Sequence, residues 1–158
     1  MNDPDDSVGP SPSWRAPSTA KAKNAVQRTV TALLDELAPE RVLTRSEQLR
    51  GPVEQHRTPT GCVLQAATAA VSVSWFAGTG DDPLLGELRV VVWRGIVSRR
   101  GSPKRREGAT VVTEMALHPI ERPSNECAWR ATDGSEYDTA ALAALCTRLL
   151  NEQVMSGK

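Results

Sequence analysis

The chain has 158 residues, and its 19 basic and 19 acidic side chains leave no net formal charge. A neutral chain has no global field to hold a polyanion, so a nucleic-acid partner would need a local basic patch. Hydrophobic residues at 39% and charged residues at 24% are ordinary globular usage, and a chain of this length suits one domain with a core of its own.

Residues 1 to 17 hold Pro4, Pro10, Pro12 and Pro17 and three aspartates, with little to bury besides Trp14. They read as a disordered acidic tail. Such a start also lacks the chemistry of a secretory or mitochondrial signal. A first helix should open at Ser18 or Thr19, either of which can cap free amides. Val26, Val30, Leu33, Leu34 and Leu37 then share one stripe, and Pro39 ends the run. Between residues 40 and 60 two readings stay open. Thr44 and Glu47 fit a capping box for a short helical turn over 45–50, or Arg41 to Thr44 forms a short edge strand.

From Gly61 the pattern changes to strands. Cys62 to Ala66 is one, and Val71, Val73 and Trp75 alternating with Ser72 and Ser74 make a second. Residues 67–69 either turn the chain or continue the strand, and the GTGDDP stretch at 78–83 is a loop. Leu88, Val90 and Val92 face one way in the next strand, with Arg89, Val91 and Trp93 opposite. Apolar residues on both faces suit an interior strand, with a bulge or bend at Gly95. A return strand covers Thr110 to His118, and Pro119 and Pro123 frame a loop. A last strand over Cys127 to Ala131 runs into a tight turn at Asp133-Gly134. The final helix takes Asp138 as its N-cap and Leu142, Leu145, Cys146 and Leu149 as its buried stripe, and frays after Gln153.

The order helix, strands, helix gives an α+β fold. It predicts an antiparallel sheet of about five strands with an N-terminal and a C-terminal helix on one face, a two-layer sandwich. The domain covers 18–153, between the tail and a frayed 154–158.

Few residues carry chemistry. Cys62, Cys127 and Cys146 are odd in number and lack C-x-x-C spacing, so neither a zinc ribbon nor a redox motif is formed. Their apolar settings suit inert core thiols in a reducing cytoplasm. His56 and His118 occur in no metal-binding spacing. His118 shares strand parity with Glu114 as a potential acid–base pair, although a structural histidine is the plainer reading. Trp75 and Trp129 belong in the core, with Trp93 on the other face. No apolar run reaches the ~20 residues of a membrane span, and no cofactor or metal is called for.

One segment departs from the neutral balance. Arg99, Arg100, Lys104, Arg105 and Arg106 against the single Glu107 give a local +4. Clustered arginines grip carboxylates or phosphates. The expectation is therefore a non-enzymatic cytoplasmic binding or adaptor domain that engages an acidic protein partner through these five residues. Nucleic acid at the same loop is a second reading, weakened by the absence of interleaved aromatics. A small-molecule or enzymatic pocket inside a curled sheet is a third. Oligomeric state is not readable from the sequence.

Overall fold

The computed structural model describes residues 12–46, 49, 52–78, 86–97, 109–123 and 127–156, with side chains from residue 20 onward. Helix α1 (Pro12–Glu36) leads into a short α2 (Pro39–Arg45). Seven strands follow: β1 (Glu54–Thr58), β2 (Gly61–Gln65), β3 (Ala69–Phe76), β4 (Glu87–Arg94), β5 (Thr110–Glu121), β6 (Cys127–Ala131) and β7 (Glu136–Tyr137). Helix α3 (Thr139–Ser156) closes the order. The strands pair antiparallel in sequence order, so the sheet is an open meander. The α+β class holds, with seven strands rather than about five and three helices rather than two among the described residues.

Helix α1 begins at Pro12, ahead of the expected Ser18 or Thr19 start. Proline suits a first helical position, because its fixed φ is helical and the amide it lacks would have no partner there. Residues 1–11 of the expected tail lie outside the described residues. Val26, Val30, Leu33 and Leu34 of α1, and Leu37 just past its end, are all buried, at 2% exposure or less. From α3, Leu142, Leu145, Cys146 and Leu150 enter the same core, while Leu149 is partly buried against it. The sheet supplies Leu64, Val71, Val73, Leu88, Val90, Val92, Leu117 and Trp129 from one face. Trp75 and Trp129 meet edge to face with ring centres 5.8 Å apart, a favoured aromatic geometry.

Of the two readings of residues 40–60, the edge strand at Arg41 to Thr44 does not hold, and the helical turn over 45–50 falls largely outside the described residues. Arg41 to Thr44 is helical, in α2, which Pro39 opens and Val42 anchors in the core. Glu47, needed for the capping box, lies outside the described residues. The strand is β1, further on. Its Gln55 Nε2 donates to the Leu34 carbonyl at 3.0 Å and the Leu37 carbonyl at 3.2 Å. Arg57 reaches Asp35 at 2.7 Å. A strand that spends its polar side chains closing the end of a helix has no apolar alternation to betray it.

Residues 66–68 turn the chain, with Ala66 N–H donating to the Ala69 carbonyl at 2.8 Å. Gly95 ends β4 at φ +100°, as expected of a bend there, and the β4–β5 register shifts between Val92 and Trp93. Pro119 is a correction: it lies inside β5, buried, opposite Trp129. The β4 ladder stops at Leu117, so the amide that proline lacks has no strand to bond there. Helix α3 continues to Ser156, past the expected fraying at Gln153.

Candidate functional site

The five basic residues Arg99, Arg100, Lys104, Arg105 and Arg106 lie outside the described residues. The structure does describe where that segment leaves and rejoins the sheet. On the leaving side, Gln65 is buried at 8% exposure. Its Nε2 donates to the carbonyls of Ala66 at 2.8 Å, Ala69 at 3.1 Å and Gly95 at 3.0 Å, and its Oε1 accepts from Val97 N–H at 2.9 Å. Gly95 N–H bonds in turn to the Thr68 carbonyl at 2.8 Å. One side-chain amide thus stitches the exit of β4 onto the β2–β3 turn. Sequence reasoning missed Gln65; its one signal is a polar residue ending an otherwise apolar strand.

On the rejoining side the sheet is unusually bare. β5 pairs with β4 from Thr110 to Leu117, but with β6 only from Leu117 to Glu121. Thr110 to Ala116 therefore has a neighbour on one side only, among the described residues. Val111 and Val112 are 48% and 43% exposed there. Where β6 ends, a depression of ≈ 510 Å³ opens beside Met115 and Ala116, lined also by Glu87, Arg89, Glu114, Thr132 and Asp133. Three carboxylates face one guanidinium. Arg89 bridges Glu87 at 2.5 Å and Glu114 at 3.2 Å. The Ser135 backbone N–H, 2.9 Å from Asp133 Oδ1, holds the Asp133 carboxyl below the usual carboxylate range.

The face away from the helices carries Arg89, Glu114, Arg130, Ser72 and Ser74, as the strand parities require. Arg130 and Arg122 both pair with Glu136, at 2.7 and 2.8 Å, and pull its carboxyl pKa down. Trp93 lies half-buried on this face, its indole N–H donating to Ser72 Oγ at 3.0 Å. Phe76 is exposed, with Arg89 stacked over its ring at 5.4 Å.

No family model matches the chain, and no curated protein or solved structure matches it significantly.

The remaining candidates resolve on geometry. His118 and Glu114 share a strand face but sit four residues apart, about 13 Å at ~3.3 Å per residue, and so cannot exchange a proton directly. The His118 Nδ1 lies 3.0 Å from the Gly86 carbonyl, which fixes it as the protonated nitrogen. Cys62, Cys127 and Cys146 are all buried and unpaired. Burial pushes the Cys62 thiol up to about 11 and the Cys146 thiol up to about 12, and raises Cys127 as well. A thiol kept protonated is a poor nucleophile and a poor metal ligand. No group of three metal-ligating side chains converges among the described residues. Among the described residues the seven strands run β1 to β7 without closing on themselves. No described helix is long and apolar enough to cross a membrane.

Proposed function

We infer that this chain is a non-enzymatic adaptor domain of the cytoplasm, which engages an acidic protein partner through Arg99, Arg100, Lys104, Arg105 and Arg106. The observation that carries the reading is the setting of this basic segment. It leaves a root pinned by the four hydrogen bonds of Gln65 and returns into an exposed strand edge bearing Val111 and Val112. A firm root fixes where the segment leaves the sheet, which favours binding by pre-organisation, and exposed apolar side chains on the strand it rejoins add contact area. The protonated thiols and the engaged His118 support a binding role over covalent catalysis. The three buried thiols also suit a reducing compartment.

The test is affinity capture from the native source, using the chain and a variant with all five basic residues changed to Glu. The variant should lose its acidic protein partners, and capture by the parent chain should weaken as salt is raised from 0.1 M to about 0.5 M, where screening is strong. Identical partners on both forms would move the function off this segment. Nuclease-sensitive capture, with a salt-dependent shift of bare nucleic acid, would replace the protein partner with a polynucleotide.

A further inference from the structure

We propose that the Asp133-Gly134 bond, in the turn between β6 and β7, is a covalent modification site, which the folded turn holds closed and which isomerises to an isoaspartyl linkage when the turn opens. Glycine leaves the nitrogen after Asp133 with no side chain to hinder it, and a Cβ built at Gly134 would meet nothing within 4 Å. The reaction needs only water. The Gly134 nitrogen attacks Asp133 Cγ and forms an N–Cγ bond. The amide proton and the carboxyl hydroxyl leave together as water, and a five-membered succinimide ring results. Water then adds at the former main-chain carbonyl of Asp133 and breaks its bond to the Gly134 nitrogen. The chain now runs through Cβ and Cγ, one methylene longer, and Cα bears a free carboxylate.

The folded turn opposes each part of this step. Trp129 pairs with Tyr137 and Arg130 with Glu136, and Ala131 N–H bonds to the Ser135 carbonyl, so Thr132, Asp133 and Gly134 make a three-residue hairpin loop. Such loops use a type I turn followed by a left-handed residue, and Gly134 has φ +93°. The third residue of a type I turn keeps ψ at about 0°, whereas ring closure needs Asp133 Cβ eclipsed with the next nitrogen. That nitrogen is itself engaged, its N–H donating to the Ala131 carbonyl at 2.9 Å. The electrophile is turned elsewhere, with Asp133 Oδ1 accepting from Ser135 N–H at 2.9 Å. The same bond keeps the carboxyl ionised below the usual carboxylate range, and a carboxylate has no hydroxyl to expel. Opening the loop releases all of these restraints together. β7 has only two residues, and a short pairing opens at a lower free energy than a core strand. An isoaspartyl residue would keep the turn open. Its added methylene breaks the loop length that sets the β6–β7 register, and the pairs of Glu136 with Arg130 and Arg122 go with it.

Ageing the full chain at neutral pH, native and in guanidinium chloride, tests the proposal, with isoaspartate located by peptide mapping against synthetic TDGSEY standards. Isoaspartate at 133 should form in denaturant as fast as in the free peptide, and in the native chain about tenfold more slowly or less, since only open turns react. Ser135→Pro removes the N–H that holds Oδ1. It should raise the native rate severalfold relative to its own denatured chain. Glu136→Ala loosens β7 without touching the loop and should raise the rate too, which keeps the test decisive if the proline variant does not fold. D133E, whose ring would have six members, should abolish the product. Native chain carrying isoaspartate should lose hydrogen-exchange protection at the Ala131 and Ser135 amides while β3 and β4 keep theirs. Equal rates in native and denatured chain, or a native rate indifferent to both variants, would overturn the turn as the restraint. No product in the denatured chain would overturn the site. Product with full protection at Ala131 and Ser135 would overturn the opening of the turn.

Discussion

Cys62 and Cys146 approach each other from β2 and α3 in the interior, and desolvation there disfavours their thiolates. An unfolded chain ionises these thiols near the ordinary value of 9.0, whereas the folded chain holds on to its protons until about 11 and about 12. The sign follows from which state binds more protons. Below pH 9 the two states are alike, and the contribution to stability is fully present. From pH 9 upward the unfolded state loses protons first, so stability falls as pH rises towards 11. Urea midpoints at pH 8, 9, 10 and 11 should decline in that order. All three cysteines should resist alkylation at pH 8 until denaturant is added; fast labelling of the native chain would contradict their burial. Their interior placement was legible from apolar neighbours alone. Gln65 was not legible, because its four partners come from the β2–β3 turn and from the exit of β4, brought together only by folding.

Among the elements, those with a strong internal period were the readable ones. The stripe of α1 and that of α3 announce a buried face whatever they pack against. The start of α3 is equally local: Asp138 Oδ1 accepts from the Ala141 N–H at 2.7 Å, as its place before the helix requires. Asp138→Ala should lower stability by about 1 kcal/mol, with Asp138→Asn losing much less; calorimetric melting of both variants measures this, and equal melting would remove the cap. β1 and β7 escaped notice for complementary reasons. β1 sits at the sheet's end and uses Gln55 and Arg57 on the end of α1. β7 has two residues, too short for any period. Pro119 was misread because proline forbids a strand only where its amide is needed, and that depends on how far the neighbouring β4 extends.

Acid stability belongs to the molecule as a whole, since its charges balance and many carboxylates are paired. Glu136 is the clearest case, its pKa lowered by Arg130 and Arg122. A depressed carboxylate contributes stability above its unfolded value of 4.5 and loses it as pH falls through the folded value. Melting temperature should therefore hold from pH 7 to about 5 and drop below 4.5, with a shallower drop in Glu136→Gln; an unaltered slope in that variant would show the pair to be idle. On the same scale, the sequence by itself determined the α+β class, the two long amphipathic helices, the parity of the central strands and the position of the local +4, because each is written in a period or charge count within one segment. Only the tertiary structure decided where each strand stops beside its neighbour. Among the described residues, β6 meets β5 over five residue pairs and leaves Thr110 to Ala116 without a second neighbour, and no single strand carries that fact. Strand overlap is a relation between chain segments distant in sequence, set by core packing and by the turns that fix register. Among the described residues, it is this overlap that leaves two exposed valines on the strand that runs to the acidic depression.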